Sequence, residues 1–247
     1  MLLDRRSGNA DGASSTPRVV FFDLGNVVMP WSPRRLYAEL MPDVAMLDWF
    51  TSEVITVAVN EEMDRGRPHT EVLGEVALAH PDHAELIWTF WDRWPETLAD
   101  PIAGTVAIID ELGAAGVPRY ALSNFATTTF ERIVDDPRFE VLHRLDGWLL
   151  SGEVGVIKPD PEIYAIACER FDVDPSEAVF IDDRADNVAA AQHFGLPAIL
   201  FTDPQRLRAQ LRALGFPLRA VSSPKRHGFI RRAERPFTRD DPGDRRG

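Results

Sequence analysis

The chain has 247 residues, 45% hydrophobic and 27% charged, with a net charge of −12, the composition of one ordinary α/β domain with an insertion or of two small domains. The acidic balance argues against a nucleic-acid partner for the folded part, and no apolar run approaches the roughly 18 residues of a membrane span. One cysteine, Cys168, excludes an internal disulfide and, with no signal-peptide-like stretch near the N-terminus, leads us to expect a cytoplasmic protein.

Residues 1–17 are small and polar and read as a flexible leader. Residues 18–22 (RVVFF) form a β-branched and aromatic run ending in Asp23, which reads as a buried strand. Residues 30–100 contain Trp31, Trp49, Trp88, Trp91 and Trp94, several acidic pairs and helical spacing without a convincing strand. This region reads as an inserted helical cap. A helix is expected over 102–115, stopping at Gly116-Val-Pro. A strand follows over 119–124 (RYALSN), running into the polar pair Ser123-Asn124, and then a helix over 126–134. Further strands are expected at 147–152 (GWLLSG), 178–183 (AVFIDD) and 197–201 (PAILF). Helices are expected at 161–171, opened by Pro161, and at 186–194, ended by Gly195. Cys168 lies in the first of these helices beside small apolar residues and reads as a packed thiol. Strands alternating with helices imply a doubly wound, Rossmann-like parallel sheet assembled from 18–29 and 101–215. Residues 216–247 read as a basic, disordered tail. The segment 203–247 holds 12 Lys/Arg against 5 Asp/Glu.

In an open parallel sheet, ligands bind beyond the carboxyl ends of the strands. Three strands here end with polar residues at that edge: Asp23, then Ser123-Asn124, then Asp182-Asp183. Lys158, one of only two lysines in the chain, sits in a Gly-Val-Ile-Lys-Pro-Asp-Pro loop between the last two. A compact ammonium rather than a forked guanidinium suits a crowded anionic site.

Taken together and in this order, FFDLGNVV (21–28), LSN (122–124), KPDPEIY (158–164) and FIDDRADN (180–187) resemble the four signature motifs of the haloacid dehalogenase superfamily. The DLGNV form of the first motif resembles a phosphatase branch that includes glucose-1-phosphate phosphatase. The resemblance covers roughly residues 18–202, and the helical insertion falls where that family carries its cap. It implies a Mg2+-dependent phosphatase acting on a small phosphate ester, such as a sugar phosphate, through a covalent phosphoryl group on Asp23. Asp23, the backbone carbonyl of Gly25 and Asp183 would hold the magnesium, with Asp182 and Asn187 in support. Ser123, Asn124 and Lys158 would bind the phosphoryl oxygens, with Lys158 also countering charge on Asp23.

Gly25 departs from the family pattern. Most phosphatases of this superfamily carry a second aspartate there as general acid and base, and its loss costs on the order of 10²–10⁴ in rate. Three explanations stand side by side: an acidic leaving group, a proton supplied by a cap residue (Glu61, Glu62, Asp64 or His69), or a slow or inactive relative. Two further readings compete with the phosphatase. A 2-haloacid dehalogenase shares the lysine loop and a tyrosine six residues later, here Tyr164, but lacks the paired acids. A retired hydrolase fold could instead serve as a binding or regulatory module.

Overall fold

The structure is a computed structural model that describes residues 17–220. Five strands, β1 (Val19–Phe22), β2 (Arg119–Ser123), β3 (Gly147–Leu150), β4 (Ala178–Asp182) and β5 (Ala198–Leu200), form one sheet in the order β3-β2-β1-β4-β5. Every adjacent pair is parallel. The chain leaves β1 toward β2 and β3, then crosses back to lay β4 on the other side of β1. The carboxyl end of β1 is therefore the place where strand order reverses, the usual seat of a ligand.

Alternation along the strands serves two cores, because successive side chains point to opposite faces. Val20 and Phe22 are buried in one apolar cluster, together with Ile108, Ile109 and Leu112. Phe21, Leu122, Leu149 and Phe180 are buried in a second cluster with Ile163, Tyr164 and Ala167. Burial on both faces explains why these strands read as continuous apolar runs.

The insertion that follows β1 carries five α-helices: α1 (Pro33–Leu40), α2 (Val44–Trp49), α3 (Val57–Asp64), α4 (His69–Ala79) and α5 (Ala84–Asp92). They precede the core helix α6 (Ala103–Ala114). Side-chain caps fix two starts: Asp43 accepts from the Ala45 and Met46 amides, and Thr56 accepts from Val59 N–H. The two ends of this insertion run side by side. Trp31 and Leu98 form an antiparallel bridge, Ser32 N–H donates to Thr97 O at 3.0 Å and Ala99 N–H to Pro30 O at 2.9 Å.

After β2 come α7 (Thr127–Phe130) and, beyond β3, α8 (Ser151–Val154), α9 (Pro161–Arg170), α10 (Ala185–Phe194) and α11 (Pro204–Ala213). Several expectations need correction. The helix expected over 126–134 is a single turn, α7, with Ala126 in extended conformation at its start. The segment 147–152 is strand only to Leu150, where Ser151 begins α8. Helix α11 has no counterpart in the sequence reading; Asp203 caps it by accepting from the Gln205 and Arg206 amides, and Leu207 and Leu211 bury its apolar side. Residues 216–219, expected to belong to the tail, are packed on the core: Phe216 and Leu218 are buried and Arg219 N–H donates to Glu111. Residues 1–16 and 221–247 lie outside the described part. Cys168 is buried among its neighbours, and burial pushes its thiol up to about 11, which makes it inert at neutral pH.

Candidate active site

Register assembles the site. Phe22 pairs with Ile181 and with Ala121, so Asp23 leaves its strand beside Asp182 and Leu122, and Ser123 follows one residue on. Asp23 N–H donates to Ile181 O at 2.8 Å, extending the ladder one step past the strand.

Three donors meet one oxygen of Asp23. Its Oδ1 accepts from Leu24 N–H at 2.8 Å, from Ser123 Oγ at 2.8 Å and from Lys158 Nζ at 2.9 Å. Among the described residues Oδ2 has no hydrogen-bond partner, which leaves it as the atom that can attack or bind a cation. Burial, together with the charges of Asp182 and Asp183, pushes the Asp23 carboxyl up to about 6, although Lys158 opposes the rise.

Lys158 is 1% exposed and uses all three of its hydrogens. Besides Asp23, Nζ donates to Asp182 Oδ2 at 2.7 Å and to Leu122 O at 2.9 Å. Burial alone would lower this ammonium; Asp23 and Asp182 outweigh it and hold it above the ordinary lysine value. Asn124 fixes the lysine loop, accepting from Lys158 N–H at 2.8 Å and donating to Lys158 O at 3.0 Å.

The two paired acids differ. Asp182 is fully buried and saturated. Its Oδ1 accepts from Arg184 N–H and Asn187 Nδ2, and its Oδ2 from Lys158 and Asn187. Asp183 is half-buried, lines the cavity, and is raised by burial and by Asp182 while Asn26 hydrogen-bonds it. Asp23, Asp182 and Asp183 each offer an oxygen within 4.8 Å of the others. Two further atoms test the fit of a hard cation with its waters. Asn187 Oδ1 is buried without a hydrogen-bond partner, and the Gly25 carbonyl accepts no hydrogen bond among the described residues. The donor set is all oxygen and suits magnesium.

Above these groups lies a cavity of about 390 Å³. Asp23, Gly25, Ser123, Asn124, Lys158, Asp183 and Asn187 line its floor, and Trp31, Val57, Trp94, Leu98 and Phe125 line its walls. The four cap candidates for proton supply separate here. Glu61 and Asp64 line the cavity, while Glu62 pairs with Arg67 and His69 stacks on Trp91 at 3.5 Å. Tyr164 is buried away from the cavity and donates to Asn187 O at 2.9 Å, bracing the fourth motif from behind.

Several expected contacts fall differently. Ser123, expected at the phosphoryl oxygens, gives its hydroxyl to Asp23, and the side chain of Asn124 is spent on the Lys158 backbone. Of the amides near Asn124, Phe125 N–H donates to Ser151 Oγ and Ala126 N–H to Asp64 Oδ1, so neither is available to a phosphoryl oxygen. Three participants had no flag in the sequence reading. Asn26 holds a left-handed turn at φ 57° and contacts Asp183. Ser151 joins the second motif to the cap through Asp64 O at 2.6 Å. Arg184 pairs with Glu61 of α3 at 2.7 Å, tying the fourth motif to the cap. Asn in DLGNV was a visible turn signal; the other two depend on long-range packing.

The sequence profile of the haloacid dehalogenase-like hydrolases matches residues 17–195. The chain belongs to that family. Among relatives of this hydrolase, a sesquiterpene phosphatase of Aspergillus oryzae is 26% identical over 205 residues, spanning 81% of this chain and 97% of its own. An (S)-2-haloacid dehalogenase of a Pseudomonas species is 32% identical over 108 residues, 44% of this chain and 46% of its own. Among solved structures, a HAD-like family hydrolase of Porphyromonas gingivalis superposes with a TM-score of 0.63 at 20% identity, covering 81% of this chain and 98% of that one. An aspartate-to-alanine mutant of a HAD family enzyme of Bacteroides thetaiotaomicron, in complex with magnesium and inorganic phosphate, gives 0.60 at 19% identity over 76% and 95% of the two chains. The likeness to these solved structures establishes the fold.

Proposed function

We propose that the hydrolase is a magnesium-dependent phosphatase that transfers the phosphoryl group of a small ester to Asp23 and then to water, and that the organic half of the ester is apolar. One observation carries the first part: Asp23 has a single oxygen held by three donors, the other unengaged, and a half-buried acid beside it. In the first step the unengaged oxygen bonds to phosphorus as the ester oxygen leaves. In the second, water attacks phosphorus and the carboxylate is regenerated. Lys158 orients Asp23 and offsets the charge that gathers when a phosphate dianion approaches a carboxylate. Asp23, Asp183 and the Gly25 carbonyl, with Asn187 and Asp182 in support, would hold a magnesium ion, which would supply the further positive charge that such an approach needs.

The apolar walls support the second part. Indole and aliphatic surfaces bury hydrocarbon well, and of the polar side chains among them Glu61 is paired with Arg184 and Asn60 with Asp64. The sesquiterpene phosphatase relative points the same way, toward an isoprenoid-like alcohol rather than the sugar that the DLGNV motif suggests. The (S)-2-haloacid dehalogenase relatives keep a second reading in play, in which the same aspartate attacks carbon. The acidic triad counts against it, since a reaction displacing halide from carbon has no use for clustered oxygen ligands.

The test is turnover of isoprenyl, sugar and aryl phosphates with magnesium and after chelation, beside capture of the phosphoryl-enzyme on rapid quenching. Asp23→Asn is expected to abolish turnover and the covalent adduct. Chelator-resistant activity, or a tenth of wild-type rate in Asp23→Asn with deamidation excluded, would overturn this reading.

A further inference from the structure

Gly25 offers the ester oxygen no side-chain acid, and the helical insert offers two carboxylates to the same cavity. They are not equivalent. Glu61 is paired with Arg184 at 2.7 Å, whereas Asp64 is 5% exposed and has no ion-pair partner among the described residues. We propose that Asp64 is the proton carrier of the reaction, giving its proton to the departing oxygen in place of the side chain that Gly25 lacks; this rests on the phosphatase reading above.

The geometry holds the group ready. Asp64 Oδ1 is fixed by Ala126 N–H at 2.9 Å, three residues beyond Ser123, and its own carbonyl accepts from Ser151 Oγ at 2.6 Å. Oδ2 accepts at 2.7 Å from Nδ2 of Asn60, a residue that also lines the cavity, and its second lone pair is left to carry the proton. As the bond from Asp23 to phosphorus forms and the ester bond breaks, this proton moves to the leaving oxygen and an alcohol departs. The resulting Asp64 carboxylate takes a proton from the water that attacks the aspartyl phosphate. Phosphate leaves, and both carboxyl groups return to their starting states.

The surroundings keep the acid protonated near neutrality. Burial pushes Asp64 up to about 7; Glu61 on its own helix and Asp23 across the cavity add to the rise, against the Ala126 and Asn60 hydrogen bonds. The remaining charged groups on the elements packed around it are engaged or remote. Lys158 is held by Asp23 and Asp182, Arg184 by Glu61 and Asp186, and Glu153 of α8 by Arg170. Glu62 and Glu75 share Arg67, Arg65 lies beside Glu62, His69 stacks on Trp91, and Glu71 is exposed.

The experiment is kcat/KM for the magnesium-loaded protein across phosphate esters of graded leaving-group pKa, from aryl to primary alkyl. Wild type is expected to depend weakly on the leaving group, and its alkyl-ester rate should fall as pH rises through about 7. Asp64→Asn should lose on the order of 10²–10⁴ on alkyl phosphates and much less on aryl phosphates, without that alkaline limb. Glu61→Gln should leave the weak dependence intact. An ideal Cβ on Gly25 meets nothing within 4 Å, so Gly25→Asp in the Asp64→Asn background should flatten the dependence again. A loss in Asp64→Asn that is equal for every ester would make Asp64 a merely structural contact with Ala126 and overturn the proposal, as would a steep dependence in wild type. Should Asp64→Asn fold poorly, isotope-edited titration of the wild-type carboxyl decides: no transition between pH 6 and 8 overturns it. Wild type inactive on every ester sinks the phosphatase reading itself, a result distinct from activity with the wrong slope.

Discussion

Asn124 grips Lys158 by both sides of its backbone, accepting its N–H at 2.8 Å and donating to its carbonyl at 3.0 Å. The contact joins the end of β2 to the loop before α9, 34 residues later in the chain. It fixes where the ammonium stands relative to Asp23.

Asn124→Ala removes both bonds and leaves two backbone groups of a half-buried loop to find water. Each such loss is worth about 1–3 kcal/mol. We expect kcat/KM on any phosphate ester to fall between tenfold and a thousandfold, with magnesium affinity little changed. Asn124→Asp keeps the acceptor and should lose less. A rate within twofold of wild type in Asn124→Ala would show that Lys158 is positioned by its carboxylate partners alone.

The adjacent acids Asp182 and Asp183 should answer differently to the same substitution. Asp182→Ala leaves Lys158 paired with Asp23 but takes the acceptor from the Asn187 side-chain amide and the Arg184 N–H, a defect of about 1–3 kcal/mol for each buried donor left unpaired, and the melting temperature should drop by several degrees. Asp183→Ala removes a half-exposed carboxylate that repels its neighbours, so stability should hold or rise while magnesium binding and turnover fall together. Calorimetric melting and magnesium titration of the two variants check this. Equal destabilisation by both would contradict the division of labour between them.

Much of this was legible because the informative features are local. The central strands β1 and β4 are short apolar runs buried almost throughout, and the polar residue at the end of β1, β2 and β4 is the one that reaches the ligand edge. Asp23, Ser123 and Asp182 follow from that rule, and the parallel register then brings them together. Lys158 was visible as a rare lysine in a Pro-flanked loop, but not its three-way engagement, which depends on Leu122 and Asp182 arriving from other strands. Helix α11 was missed because its apolar face is narrow, essentially Leu207 and Leu211 between arginines and glutamines. Asp64 and Glu61 looked interchangeable in sequence. Only the packing of α3 against the second and fourth motifs separates them, through Ala126 and Arg184.

Val57 lines the cavity yet is 53% exposed, so it sits at the mouth rather than in the core. Val57→Asp should leave folding nearly unchanged, as surface substitutions usually do. It should cut kcat/KM for isoprenyl phosphates by about tenfold, the cost of one charged group against a hydrocarbon chain at a partly wet rim. Inorganic phosphate inhibition should stay the same. A uniform loss across polar and apolar esters would argue that the walls do not select for hydrocarbon.

The paired entry and exit of the helical insert have a further consequence. Trp31 and Leu98 bridge the two connecting segments and also form part of the cavity wall. An apolar group seated there rests on the joint between cap and sheet. Such a group would touch both connecting segments at once, beside α3, whose Asp64 is already held to Ala126 and Ser151 of the core. The two stretches of chain that carry the insert therefore also supply the surface against which the unreactive part of a ligand would rest.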